Sequence, residues 1–156
     1  MSIQKSQFAS MFNVKAVNNS DINVFLEKHF QTHAATFVKK LMGATAQTFS
    51  ESPGPDWTFA ETTMGNPFAY PENPPSGETL KIKTRFGFAE ADMPKEVVGV
   101  ITSALAILIM AENADELGIS DDLIKSLIEH YYGLISAGQN MAIAAGCSDE
   151  YFHLTD

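Results

Sequence analysis

The order of elements along this chain predicts an α+β fold, in which a small antiparallel three-stranded meander packs against three to four helices. One helical pattern precedes a compact block of strand patterns, and two further helical patterns follow it. The strands lie too close in sequence for helical crossovers, which disfavours a parallel sheet. At 156 residues, we expect a single domain over 1–156. Residues 1–20 are expected to form a loosely ordered N-terminal segment and residues 146–156 a C-terminal tail.

The first helical pattern begins at Ile22, and its apolar residues repeat at helical spacing as far as Met42. Lys39 and Lys40 lie near its C-terminal end, and Gly43 follows directly. Basic residues in the last turn and a glycine just beyond are typical of a helix end. We therefore predict one continuous helix that ends before Gly43.

Three strand patterns follow a break rich in proline and glycine. Residues 57–61 (WTFAE) and 68–70 (FAY) flank a turn at 64–67 (MGNP), which predicts a hairpin. Residues 80–86 alternate apolar and basic side chains, the clearest period of two in the chain. We expect this segment to be the third strand of the meander, with one apolar and one basic face.

A nearly uninterrupted apolar run at 91–110 predicts a buried helix. Pro94 suits the first helical position, and Glu96 lies near the positive end of the helix dipole. The run ends before Glu112 and falls short of the ~20 apolar residues that cross a bilayer. Close packing of another element is expected on its stripe of small residues, which are Gly99, Thr102, Ser103 and Ala106.

The last helical pattern starts after Ser120, a good N-cap residue, with Asp121 and Asp122 in the first turn. Its apolar residues predict a helix that ends at Gly138. A separate short helix is expected at 141–145.

The charge of the chain is concentrated in its second half. The net charge is −9, and residues 86–156 carry 12 acidic side chains against 2 basic ones, or −10. This imbalance argues against nucleic acid as a direct ligand of that half and fits a protein partner. Candidate interaction residues are Glu112, Asp115 and Glu116.

The single cysteine, Cys147, and the lack of a signal-peptide pattern favour the cytoplasm as the default location.

No motif of an enzyme active site stands out. The sequence contains no glycine-rich phosphate loop, no paired cysteines and no Gly-x-Ser-x-Gly elbow. We therefore predict no catalytic residue, no cofactor and no metal site.

One alternative is a small metal-dependent hydrolase using His29 and His33, four residues apart on the first helix. His130 is expected on the polar face of the last helix, opposite Leu127 and Tyr131.

A second alternative is a direct DNA-binding module. Lys81, Lys83 and Arg85 form a basic strand face that could contact phosphates, with Lys39 and Lys40 as further basic residues. Three charges on one strand are more often a solvated face or protection of a sheet edge.

Motifs in three segments occur in a distinctive order along the chain. Their positions are Lys39, Lys40, Trp57, Phe59, Glu61, Gly65, Gly87, Phe88, Met93 and Gly99. Over about residues 25–140, these segments resemble the antirestriction family typified by the plasmid-borne proteins KlcA and ArdB.

This resemblance implies a compact α+β protein of mobile elements that relieves type I restriction without modifying DNA. It also implies that no catalytic residue or cofactor is involved. The partner would be a protein, either a type I restriction enzyme or an associated host factor, and not nucleic acid or a membrane. A non-enzymatic antirestriction protein is thus the leading hypothesis.

Overall fold

The computed structural model of this chain describes residues 12–49, 53–54, 56–74, 79–83, 90–149 and 151. The predicted α+β class is confirmed, since these residues form a three-stranded antiparallel sheet, a two-stranded hairpin and a set of α-helices. In chain order the elements are β1 (Lys15–Ala16), α1 (Ile22–Phe30), α2 (Ala34–Thr48), β2 (Trp57–Glu61), β3 (Pro67–Pro71), β4 (Thr79–Lys83), β5 (Glu90–Pro94), α3 (Lys95–Glu112), α4 (Ala114–Leu117) and α5 (Asp121–Ala145).

The three-stranded sheet has the order β1-β2-β3. The predicted hairpin of β2 and β3 is present, with Phe59 opposite Ala69. The third strand of this sheet is β1, and the segment expected to complete the meander instead pairs with β5 in a second sheet. That expectation was wrong because alternation identifies a strand but not its partner. β1 has two residues, too few to show a period.

Strand β3 lies at the edge of its sheet, and its sequence suits that position. Hydrogen bonds at both ends of the β2–β3 ladder show which residues of β3 direct their backbone groups away from β2. These residues are Pro67, Ala69 and Pro71. The two prolines have no N–H to leave unpaired. The N–H of Ala69 donates to Oγ of Ser103 on α3 at 3.0 Å, and the Ser103 hydroxyl lies 3.4 Å from the Ala69 carbonyl. Helix α3 therefore covers this edge.

Helix α3 is the centre of the core, and the close packing predicted for its small residues is confirmed. A Cβ at Gly99 would lie 2.4 Å from the Ala69 carbonyl oxygen, so β3 packs directly on the helix backbone. The helix starts at Lys95, with Pro94 as its N-cap rather than its first residue. Residues 91–94 of the predicted helix instead belong to strand β5. In the described part of the chain, no helix is long and apolar enough to cross a membrane.

The first helical pattern forms two helices, so the prediction of one continuous helix was wrong. Helix α1 ends at Phe30, and Gln31 has a positive φ of 54°. Helix α2 then continues past Gly43 to Thr48. Phe30 and Phe37 stack across the break, with ring centroids 4.1 Å apart. The apolar spacing persists through the break, which is why the sequence conceals it.

Helix α5 is longer than predicted. Ser120 caps its first turn as expected, accepting a hydrogen bond from the Leu123 N–H at 3.3 Å. The helix continues through Gly138 to Ala145 and ends at Gly146, whose φ is 76°. The expected helix at 141–145 is its last part. Gly138 does not end the helix but makes room for Tyr151, whose hydroxyl oxygen would lie 2.7 Å from a Cβ there.

Candidate functional site

A hydrogen-bonded group of polar side chains joins the end of α1 to the end of β2. His29 is in the last turn of α1 and is 7% exposed. Its Nε2 lies 2.8 Å from Oε1 of Glu61, the last residue of β2. The exposed Lys28 donates to the same oxygen at 3.2 Å. Glu61 therefore holds a buried ring on one side and a solvated cation on the other.

The group continues into the turn between β2 and β3 and reaches α5. The Asn66 side-chain amide donates to the Thr62 hydroxyl at 3.3 Å, and Asn66 Oδ1 lies 3.0 Å from Nδ1 of His130. Because Oδ1 can only accept, His130 carries its proton on Nδ1 in this network. The rings of His29 and His130 meet edge to face, with centroids 5.1 Å apart. Elements distant in sequence thus share one polar network.

Burial and charge set the protonation states of this network. Burial, followed by electrostatic repulsion from His29, lowers the pKa of His130 to about 4, so His130 is neutral at pH 7. Burial alone would raise the pKa of Glu61, but the hydrogen bonds from His29 and Lys28 outweigh it and lower that pKa. Glu61 is therefore an anion at neutral pH. A network whose polar atoms satisfy one another's hydrogen bonds in this way typically holds the surrounding elements in place.

Gly133 allows α5 to approach the β2–β3 turn closely. A Cβ at this position would lie 2.2 Å from Nδ2 of Asn66, so no larger residue fits while Asn66 keeps its place. Asn66 itself is 8% exposed. Gly65 gives the turn its shape with a φ of 82°, a conformation that glycine adopts without strain.

An open groove of about 480 Å³ lies beside this contact, between the β2–β3 turn and α5. We call it the turn–helix groove. Phe12, Met64 and Met141 contribute apolar surface to it. Its polar lining consists of Thr62, Thr63, Asn66, Glu129, Ser136 and Asn140. The buried network and the groove therefore share Thr62 and Asn66, and the network holds one wall of the groove in place.

His29 and His33 do not form the pair that the hydrolase alternative requires. The break at Gln31 leaves them on different helices, with His33 at the N-cap of α2. His29 meets Glu61 and His130 instead. Across the residues that the structure describes, no three His, Cys, Asp or Glu side chains are arranged to hold a metal ion.

The basic strand is opposed by acidic residues. On the paired strands β4 and β5, Lys81 lies opposite Asp92 and Lys83 lies opposite Glu90. Directly opposed residues share a face of the sheet, so the opposite charges of Lys81 and Asp92 attract. Arg85 lies outside the described residues. This pairing reduces the positive potential that a phosphate backbone would meet.

The three acidic candidates lie together at a corner between helices. Glu112 is the last residue of α3, and Asp115 and Glu116 lie in α4. All three are exposed, as are Asp121 and Asp122 at the start of α5. We call these five residues the acidic corner. No basic residue interrupts the sequence between them.

The remaining motif positions lie in different environments. Trp57 and Phe59 line a second cavity of about 380 Å³, between β2 and α2. Met93 is fully buried and Lys39 is exposed, with Lys40 between these extremes. Gly87 and Phe88 lie outside the described residues.

Sequence reasoning missed the contribution of His130 and Asn66. His130 was expected on a solvated face, but it is half-buried against His29. Asn66 appeared only as part of a turn. A glycine at 133 in the middle of a helix was the available signal, because such a glycine often permits a close approach.

No protein-family model and no curated protein matches this chain. The fold matches the solved structure of the KlcA and ArdB proteins, described as showing a novel fold and antirestriction activity against type I DNA restriction systems in vivo but not in vitro. The TM-score is 0.69 at 16% sequence identity, over 88% of this chain and 93% of that one. The resemblance seen in the sequence motifs is thus confirmed for the fold.

Proposed function

We propose that this protein relieves type I restriction of incoming DNA in the cell, without catalysis and through contact with a protein partner. The observation that carries this proposal is the fold shared with KlcA and ArdB over 88% of the chain. The motif positions are consistent with it, since Gly65 shapes the hairpin turn and Gly99 lets α3 pack on β3.

A partner of positive surface potential fits the charge distribution. The acidic corner places five exposed carboxylates at one end of the helical layer. Exposed charges of one sign raise the rate at which an oppositely charged protein is encountered, and they set its orientation. In contrast, Lys81 has an acid opposite it on the neighbouring strand. We therefore propose that the acidic corner, and not the basic strand, faces the partner.

The test is a plating assay in bacteria that carry a type I restriction system. Expression of this protein should raise the plating efficiency of unmodified phage above that of a vector control, while methylation of the host DNA stays complete. A cellular assay is needed because the activity reported for KlcA and ArdB occurs in vivo but not in vitro. No protection across several type I families, with the protein soluble and abundant, would disprove the proposal.

Two matched triple variants identify the contact face. Glu112→Gln, Asp115→Asn and Glu116→Gln together should weaken protection more than Lys81→Gln, Lys83→Gln and Arg85→Gln together. Glu112, Asp115, Glu116 and Lys81 are exposed, and substitutions at exposed positions change stability by less than about 0.5 kcal/mol each. Denaturant melts of both triple variants distinguish loss of contact from loss of fold. A larger loss from the basic triple would favour contact with nucleic acid.

A further inference from the structure

The turn–helix groove has the size and the rigid wall of a binding site. Its volume of about 480 Å³ lies within the ~300–1,000 Å³ typical of ligand sites. Its wall is fixed, because Asn66 is bonded to Thr62 and His130 and pressed against Gly133. A preformed wall lowers the conformational cost of binding.

One carboxylate gives the groove its charge. Glu129 is the single charged residue among the described residues that line it. Its side chain is exposed, and no described cation forms an ion pair with it. The hydroxyl and amide oxygens of Ser136 and Asn140 lie along the same helix. The groove thus offers acceptors and a negative charge, which suit a cationic group with several donors.

One large exposed side chain lines the groove, and another lies beside the groove residue Glu129 on α5. Tyr132 is 67% exposed and follows Glu129 by three residues on α5, so the two are neighbours on the helix surface. Met64 is 85% exposed on the turn across the groove. An exposed aromatic ring beside a carboxylate suits a guanidinium group, which stacks on aromatic faces and bonds carboxylates with two parallel N–H groups.

We propose that the turn–helix groove binds an arginine side chain presented by a protein partner. Glu129 accepts two hydrogen bonds from the guanidinium group, and Tyr132 stacks on its plane. A lysine fits less well, because its ammonium group is not planar. It cannot form two parallel hydrogen bonds to one carboxylate, and it cannot stack flat on an aromatic ring. This inference rests on the proposed function, because that function supplies the protein partner. The recognition of arginine itself can be measured without the partner.

The binding test uses short peptides and the full-length protein labelled with nitrogen-15. Acetyl-Gly-Arg-Gly-amide should shift the amide signals of residues 62–66 and 129–140, with much smaller shifts from acetyl-Gly-Gln-Gly-amide. Glu129→Gln should weaken binding of the arginine peptide about tenfold, as expected for loss of a charge-assisted pair. Glu27→Gln is the matched control, an exposed acid on α1 outside both the groove and the acidic corner, and should leave binding unchanged.

Several results would overturn the proposal. These are equal shifts from the two peptides, shifts confined to the acidic corner, and equal loss in the two glutamate variants. Shifts of the groove signals with protein concentration alone would assign the groove to a second copy of this chain and would also overturn it.

A cellular arm separates failure of this inference from failure of the proposed function. If the wild-type protein protects phage, Glu129→Gln and the groove-filling Ser136→Trp should reduce protection, while Glu27→Gln retains it. Protection unchanged in both groove variants would refute the arginine site and leave the proposed function standing. A wild-type protein that fails to protect would refute the proposed function, and the peptide titration would still decide the inference.

Discussion

Two helix surfaces in this protein use a glycine to approach the β2–β3 hairpin, but they meet different parts of it. At Gly99 on α3, a Cβ would lie 2.4 Å from a backbone oxygen of β3. At Gly133 on α5, a Cβ would lie 2.2 Å from the side chain of Asn66. The first contact is part of an apolar core, and the second adjoins an open groove.

The difference determines what each glycine controls. Backbone in a paired strand cannot move without breaking its ladder, so Gly99 is tied to the stability of the whole fold. An asparagine side chain can rotate away, at the expense of its own hydrogen bonds. Gly133 is therefore tied to the polar network and to the shape of the groove.

The largest expected effect is at Gly99. Gly99→Ala should destabilise the protein by about 3 kcal/mol, and Gly99→Leu by more, because neither β3 nor α3 can retreat. The measurement is the free energy of unfolding from urea melts. Gly43→Ala is the matched control, a helical glycine with nothing within 4 Å of a Cβ, and should stabilise by about 0.5–1 kcal/mol. A stable Gly99→Ala variant would show that the contact with β3 is looser than the structure has it.

A smaller effect is expected at Gly133. Gly133→Ala should cost about 2 kcal/mol, because displacement of Asn66 breaks its bonds to Thr62 and His130 and outweighs the better helix propensity of alanine. The same change in an Asn66→Ala background should be neutral or stabilising, since nothing is left to displace. A double-mutant cycle measures this coupling. Additive effects would mean that α5 and the turn do not interact through Asn66.

The smallest effect concerns pH. The pKa of His130 is about 4 in the folded protein and about 6.5 in an unfolded chain. Between these values the unfolded state binds the proton and the folded state does not, so stability falls as pH falls. The free energy of unfolding from urea melts should be lower at pH 5 than at pH 7. We expect His130 to contribute about 1–2 kcal/mol to this difference, after allowance for its partial exposure.

Substitution of His130 tests whether this pH dependence arises in the polar network. His130→Gln keeps a donor for Asn66 but cannot titrate, so its stability should fall less from pH 7 to pH 5. His33→Gln, outside the network, should retain the wild-type slope. Glu61 has a lowered pKa, so its contribution is lost below about pH 4.5 and does not enter this comparison. An unchanged slope in His130→Gln would remove His130 as its source.

Much of the fold was predictable from local patterns. The β2–β3 hairpin, the cap at Ser120 and the close packing at Gly99 each follow from residue types at short spacing, and each is present. The candidate site was less predictable. Its acidic corner was visible as a run of carboxylates, whereas the network of His29, Glu61 and His130 joins elements far apart in sequence.

The sequence by itself determined the main helical segments and the strands β2, β3 and β4, because propensity, capping and periodicity act within a few residues. It did not reveal β1 or β5. Tertiary structure decided that β1 and not β4 completes the sheet, that the first helix breaks at Gln31, and that α5 continues through Gly138. Those outcomes depend on which distant surfaces fit together. A local pattern carries no information about its partner, so the turn–helix groove exists only once α5 has packed against the hairpin.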